Sequence, residues 1–448
     1  MTAADAARVV TTRHRYAFVL LGSIQATLIF TLAALAVPLA RIGCEFDLER
    51  ADLILLSAAY GLTFTGLLLF GGRLADRYGG RRALTAGLVL FAAASAAAPL
   101  APGIGVLLSA RFAQGAGAAL VAPAAMAVLR TVFPSLTAYG RAMATWGGLS
   151  VLGATACNLL SGVISALLSW RWTFAVPLVV ALAALALTPR LLPDTAPNQH
   201  RTLDLPGALL ATGGITLASY GLVVTDASPW SSADVLVPLL GGTALLAAFW
   251  HAERHARDPL LPPRFLLDQQ RALALTAIAL SACGTALTFV VLSLHLQQAR
   301  DWSPLQTSAA FVPFAIALIA SGRVAGPLFG RYGARAVTTA GLGTGAAGLA
   351  FLALTRLDAH TSYAYGLLPG LVLLSAGTAA SFAGATVRAT EGVPQQQTGL
   401  AGGVLNTAME FGPTVLFAVL LTLGSDASSL AVTGAALAVV ALLNHRTK

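Results

Sequence analysis

The sequence predicts an all-α protein that crosses a membrane many times, and three observations support this fold class. First, 57% of its 448 residues are hydrophobic and only 10% are charged, whereas about a quarter of the residues in a soluble domain are charged. Second, apolar segments long enough to span a bilayer, which takes roughly 20 residues, recur along the chain. Third, one charged stretch between two such segments occurs twice. These features indicate an internally duplicated, polytopic membrane protein.

The apolar segments predict fourteen membrane-spanning helices in the order six, two and six. They cover residues 16–40, 53–71, 83–99, 104–132, 142–168 and 173–187, then 206–225 and 235–251, then 272–297, 305–329, 336–355, 363–387, 400–423 and 428–443. The predicted organisation is a tail (1–15), an N-terminal six-helix bundle (16–192), linkers with two inserted helices (193–271), and a C-terminal six-helix bundle with a short tail (272–448).

The distribution of Lys and Arg predicts the orientation of the chain. Twenty of these residues fall in connections on one side of the predicted spans and five on the other. Because positively charged loops stay in the cytoplasm, both termini are expected there, with the first helix retained rather than cleaved as a signal peptide. The net charge of +9 is spread between the spans, so it reflects topology and does not indicate a nucleic-acid surface.

The duplicated charged stretch is residues 72–82 (GRLADRYGGRR), with a weaker copy at 326–335 (GPLFGRYGAR). An Arg or Asp in hydrocarbon costs about 2.5 to 3.5 kcal/mol, so each copy is predicted to be a short turn in water. Gly72 and Gly79 permit tight helix ends. Asp76 can form a charge network between bundles that latches one access state, or the charges can serve only topology and solvation. The first-copy partners are Arg77, Arg81 and Arg82; the second copy offers Arg331 and Arg335 but has Gly330 in place of the aspartate.

Residues 72–82 resemble the signature between helices two and three of the major facilitator superfamily. Other stretches that match the superfamily's fourteen-helix drug:proton antiporters are 111–117 (RFAQGAG), 169–174 (SWRWTF), 257–260 (RDPL), 296–298 (LQQ) with 303–305 (SPL), and 399–406 (GLAGGVLN). The resemblance implies a major facilitator fold of two six-helix bundles plus two inserted helices, working by alternating access. It also implies a monomer in the cell membrane, in contact with lipid, that exports amphipathic or hydrophobic small molecules in exchange for protons. Neither enzymatic activity nor a cofactor is expected.

The chain departs from that family in two places. Its first predicted helix contains no Asp or Glu, although such antiporters carry an acid there. The glycine motif of helix five retains Gly148, Gly153 and Gly162, but Cys157 begins the stretch where the family has Gly-Pro-x-x-Gly-Gly. Close helix packing is preserved while the proline bend is lost. These departures leave two alternatives open: a proton-independent facilitator or importer of the same fold, and a membrane sensor or scaffold that does not transport.

Glu410 is the candidate for proton coupling, because it is the only acid well inside a predicted span. It shares a helical face with Gly402, Gly403 and Asn406, so it points into protein or a cavity. A static structural carboxyl group and recognition of a cationic substrate are the alternatives. His295, near the outer end of the ninth span, is a weaker candidate for a proton relay and is otherwise a polar residue at the membrane interface.

Polar residues inside other spans are predicted to line a substrate cavity: Gln25, Thr31, Arg111, Gln114 and Asn158, with Asn406 from the second half. Arg111 could instead extend to the nearby membrane surface. The three cysteines and seven histidines form no metal-ligand spacing, and the pair His251 and His255 lies at a membrane edge. No metal site is therefore predicted.

Overall fold

The computed structural model of the chain describes residues 3–446 except 36–37, 136–137, 144, 147–152, 154–159, 161–163, 165–166, 195–202, 227, 257, 356–360, 395–396 and 421–425. Most of the fifth predicted span, including Gly148, Cys157, Asn158 and Gly162, lies outside the described residues.

The described chain is almost entirely helical, in agreement with the predicted fold class. The helices are α1 (Ala3–Ala33), α2 (Leu39–Phe46), α3 (Arg50–Tyr78), α4 (Gly80–Ala97), α5 (Ile104–Val132), α6 (Ala175–Leu191), α7 (Leu205–Val223), α8 (Ala233–His255), α9 (Pro263–Leu267), α10 (Gln269–Leu294), α11 (Pro304–Ala310), α12 (Val312–Leu354), α13 (Leu368–Thr390), α14 (Thr398–Leu420) and α15 (Asp426–Arg446).

Eleven helices in the described part of the chain are long and apolar enough to cross a membrane. Helix α5 has the bounds of the predicted span 104–132. The first span was predicted too long: α1 ends at Ala33 and the short helix α2 follows, closed by Asp47 at φ 51°. The chain is helical from Ala3, within the predicted tail. The count of fourteen stays a prediction.

The charged stretch 72–82 is not the multi-residue turn that its composition predicts. Helix α3 runs through it to Tyr78 and α4 begins at Gly80, so only Gly79, at φ 90° and ψ 139°, interrupts the helix. The second copy repeats this geometry, with Gly333 at φ 76° and ψ 162° inside α12. Because glycine adopts positive φ without steric cost, one residue suffices to reverse the chain. The charged side chains therefore project from helix ends.

The helices pack in two groups joined mainly through α14. Helices α3, α4 and α5 contact one another, with α1 and α6 alongside, while α10, α12, α13, α14 and α15 form the second group. Helix α14 also packs on α3 and α5 of the first group. The inserted pair α7 and α8 pack on each other, and α7 contacts both α3 and α14. The inserted helices thus lie beside the junction of the two groups.

Glycines let α3 and α14 approach until their backbones touch. A Cβ added to Gly72 would lie 2.4 Å from the Gly399 carbonyl oxygen, and one on Gly403 would lie 2.8 Å from the Leu68 oxygen. Small residues at such crossings permit close van der Waals packing between membrane helices. The junction between the groups is therefore a direct helix-to-helix contact with no room for a side chain at these positions.

Candidate functional site

Asp76 joins the two helix groups at one end of the molecule, called here the Asp76 end. Its Oδ1 accepts a hydrogen bond from the Gly399 N–H at 2.6 Å, and its Oδ2 accepts one from Leu400 at 2.8 Å. The first N–H groups of a helix have no partner within the helix and carry its positive dipole end. A buried carboxylate of α3 therefore caps α14 of the other group and joins the two groups at this end.

The arginines of the first copy contact linkers and neighbouring side chains. Arg81 forms an ion pair with Asp194 at 2.9 Å and donates to the Leu192 carbonyl oxygen at 3.3 Å. Arg77 lies over the Tyr78 ring at 5.4 Å, and Arg82 is exposed. The predicted latch thus includes backbone N–H donors of α14, which no side-chain pattern in the sequence indicates.

Arg73 is a residue of the site that the sequence reasoning missed. It is 1% exposed, and its guanidinium pairs with Asp258 Oδ2 at 2.6 Å and donates to the Asp258 carbonyl oxygen at 3.1 Å. Asp258 lies in the RDPL stretch after α8. Arg73 and Asp258 each lie in a stretch that resembles a superfamily motif, and this was the signal in the sequence that pointed to them.

The second copy makes its contacts within its own helix group. Arg335 donates to the Asn444 carbonyl oxygen at 3.1 Å and also to the His445 carbonyl oxygen, both in the last turn of α15. Arg331 is exposed and lies over the Tyr332 ring at 5.3 Å. Arg335 therefore caps the C-terminus of a neighbouring helix.

A second cluster of buried polar groups surrounds Arg111, which is fully buried. Its Nη1 donates to the Thr31 carbonyl oxygen and to Gln114 Oε1, each at 3.1 Å. The Gln114 amide in turn donates to Ser95 Oγ at 2.9 Å. Arg111 therefore does not extend to the membrane surface; it holds α1, α4 and α5 together as the central cation of the network.

Tyr60 connects this network to the second helix group. The Arg111 guanidinium carbon lies 4.9 Å from the Tyr60 ring centroid, and the Tyr60 hydroxyl donates to the Leu28 carbonyl oxygen at 2.9 Å. Tyr60 also interacts electrostatically with Glu410 of α14. An aromatic residue inside an apolar span carries no polar signal, so the sequence did not indicate Tyr60.

Glu410 is half-buried and follows the start of α14 by twelve residues. At 1.5 Å per residue it lies about 18 Å from the Asp76 end, near the middle of a hydrocarbon layer about 30 Å thick. The helix that Asp76 caps, α14, therefore also carries Glu410, the candidate for proton coupling. One helix therefore runs from the Asp76 cap to the level of Glu410.

Three further candidates, Asn406, Gln25 and Gly153, lie on helices of both groups. Asn406, one turn before Glu410, donates to the Gly402 carbonyl oxygen at 2.8 Å and to Met126 Sδ at 2.9 Å, so it bridges α14 and α5. Gln25 on α1 is 1% exposed. Gly153 packs on α1, since a Cβ there would lie 2.2 Å from the Ala26 oxygen.

His295 lies at the end of α10, in the π-helical turn His295–Ala299, where Arg300 Nε donates to its Nε2 at 3.0 Å. A ring nitrogen that accepts a hydrogen bond carries no proton in this arrangement. Across the described residues, no group of three or more His, Cys, Asp or Glu side chains is placed to hold a metal ion.

These features define a class: a multi-pass membrane protein of two helix groups, with a buried polar cluster in the first group and a carboxylate cap that joins the groups. The chain belongs to the Major Facilitator Superfamily, which it matches over residues 19–417. The members of this family are transporters and not enzymes.

Curated relatives with substantial similarity are exporters or resistance proteins. The cephamycin export protein CmcT of Amycolatopsis lactamdurans is 35% identical over 92% of this chain and 85% of its own length. The puromycin resistance protein pur8 of Streptomyces alboniger is 36% identical over 83% of this chain and 74% of its own. Among solved structures, the proton:xylose symporter XylE has the same fold, with a TM-score of 0.69, 13% identity and coverage of 97% and 95%.

Proposed function

We propose that this protein is a secondary transporter that exports amphipathic or hydrophobic small molecules across the cell membrane in exchange for protons. The exporters and resistance proteins among its relatives support the substrate class and the direction. In this proposal the bundles at residues 16–192 and 272–448 rock against each other, and residues 193–271 are an insertion beside their junction. The transporter acts as a monomer surrounded by lipid.

The observation that carries the proposal is the position of Glu410. It stands on α14 within electrostatic reach of Tyr60, whose ring also contacts Arg111. An ionisable side chain at this depth is costly and marks a functional site by default. Glu410 binds a proton in one access state and releases it in the other, while Arg111, Gln114, Thr31, Gln25, Asn158 and Asn406 contribute to the wall of the substrate site.

Helix α14 transmits the change between access states. Both chain termini are cytoplasmic in this proposal, in accord with the excess of Lys and Arg on that side, so the Asp76 end faces the cytoplasm. While Asp76 caps Gly399 and Leu400, that end is closed and the central site opens outward. Separation of α14 from α3 breaks the cap and opens the site inward.

The proposal is tested with Glu410→Gln in reconstituted vesicles under an imposed pH gradient. The panel of substrates comprises lipophilic cations, neutral antibiotics and anions, and internal pH is followed with a dye. We expect substrate-dependent proton movement in the unchanged protein and its loss in Glu410→Gln, which keeps energy-independent exchange of labelled substrate. Glu391→Gln, an exposed glutamate after α13, is the matched control.

Each result of that experiment decides between functions. Substrate transport without proton movement in the unchanged protein would identify a facilitator, which the absence of an acid in the first helix also suggests. Transport of none of the compounds would favour the sensor or scaffold. A Glu410→Gln variant that kept the full pH dependence would remove Glu410 as the proton carrier.

A further inference from the structure

The inserted helices α7 and α8 meet at the Asp76 end through two carboxyl groups. Asp204 caps the start of α7, where its Oδ1 accepts a hydrogen bond from the Gly207 N–H at 2.9 Å. Glu253, in the last turn of α8, is 1% exposed, and its Oε2 accepts from the Leu261 N–H at 2.9 Å. One oxygen of each carboxyl group is therefore held by a backbone donor.

The two remaining oxygens face each other. A Cβ added to Gly207 would lie 2.5 Å from Asp204 Oδ2 and 2.6 Å from Glu253 Oε1, so both atoms converge on one point. The two oxygens are therefore close neighbours beside Gly207. Glu253 Oε1 is buried, and among the described residues it receives no hydrogen bond from an N–H or hydroxyl donor.

This arrangement favours a proton on Glu253. An ionised carboxylate only accepts hydrogen bonds, so two ionised groups in contact would repel each other across a poorly hydrated gap. A proton on Glu253 Oε1 turns that carboxyl group into a donor, with Asp204 Oδ2 as its acceptor. Gly207 contributes by having no side chain that would separate the two oxygens.

The charges around the pair come from three further parts of the chain. Arg73 of α3 interacts electrostatically with Glu253, but its guanidinium is engaged by Asp258 at 2.6 Å. Asp258 and Leu261 lie in the same short loop between α8 and α9. On α8 itself, Arg254 and His255 are exposed. With Arg73 paired to Asp258, a second negative charge on the carboxyl pair would have little compensation.

We propose that Glu253 holds a proton that it donates to Asp204, and that this proton holds the loop over residues 258–262 against Arg73. Release of the proton to water leaves two carboxylates, and their repulsion separates the start of α7 from the end of α8. The Leu261 hydrogen bond to Glu253 is then lost, and the loop loosens beside the Asp76 cap. This site is separate from Glu410 and does not depend on whether Glu410 couples transport to protons.

Infrared spectroscopy of the full-length protein in lipid nanodiscs tests the site directly. The experiment is run in a Glu410→Gln background, so that Glu410 contributes no signal. A carboxylic acid C=O band should be present at acidic pH and disappear on alkaline titration. We expect this band to be lost in Glu253→Gln and in Asp204→Asn, since each amide replaces this proton with its own N–H donor. Asp234→Asn, an exposed acid at the other end of α8, should leave the band unchanged.

Hydrogen exchange of residues 258–262 tests the link to the loop. After correction for intrinsic exchange rates, protection in the parent protein should fall by about tenfold or more across the titration, as a buried hydrogen bond is lost. In Glu253→Gln and Asp204→Asn the protection should stay high at every pH. A titrating band that persists in both amide variants, or loop protection in the parent that does not change with pH, would overturn the proposal.

Discussion

The two copies of the charged motif have the same backbone geometry but form hydrogen bonds with different parts of the molecule. Each reverses the chain at a single glycine with positive φ, Gly79 or Gly333. In the first copy Asp76 reaches across to α14 of the other helix group, whereas in the second copy Arg335 bonds the last turn of α15 in its own group. Both copies therefore have the same turn. The hydrogen bonds between the groups are formed by the first copy, which has Asp76 four residues after Gly72, whereas the second copy has Gly330 at the equivalent position.

Among the described residues, this difference places an acidic cap at the junction in the first copy and none in the second. The cap acts on N–H groups at the start of α14, and α14 also carries Glu410. Any change in the first copy is expected to alter access to the central site. The matching change in the second copy is expected to alter the stability of one helix group. The predictions below test this division.

The largest expected effect comes from Gly72→Ala. An added methyl group would lie 2.4 Å from the Gly399 carbonyl oxygen, so α3 and α14 must move apart and the Asp76 cap must lengthen. We expect transport in vesicles to fall by more than tenfold, with normal amounts of protein in the membrane. Gly343→Ala on α12, where a Cβ meets nothing within 4 Å, is the matched control. Equal transport by the two variants would contradict a functional contact at Gly72.

Asp76→Asn should have the next largest effect. Asparagine keeps the shape but has one acceptor oxygen, so one of the two N–H groups at the start of α14 loses its partner. Hydrogen bonds to a charged group contribute about 1.5 to 3 kcal/mol, which predicts roughly a tenfold or greater shift away from the closed end. The measurement is the labelling rate of a cysteine introduced at Ala75, together with transport. Asp194→Asn, an exposed partner of Arg81, should leave both unchanged.

Much of the fold could be predicted from the sequence, because spans depend on local composition. Helix α5 begins and ends at the bounds of its predicted span, but the first span was wrong because the apolar run continues past Ala33, and Pro38, which precedes α2, was not taken as a break. At the site, Asp76 and Arg111 were indicated as charges that hydrocarbon does not tolerate. Gln114, a side-chain partner of Arg111, was indicated as well, but the backbone groups of Gly399, Leu400 and Thr31 were not, because every residue type offers them.

Arg335→Ala is expected to have the smallest effect and completes the comparison. It removes the bonds to the carbonyl oxygens of Asn444 and His445, so the end of α15 loses its cap. We expect a loss of about 1 kcal/mol in stability, seen as a lower midpoint of thermal unfolding in detergent. Transport per folded molecule should remain unchanged, because these bonds lie within one helix group. Arg331→Ala, the exposed neighbour, serves as the control. If Arg335→Ala instead impaired transport as strongly as Asp76→Asn, the two copies would be equivalent parts of one latch, and the acid at Asp76 would not explain their difference.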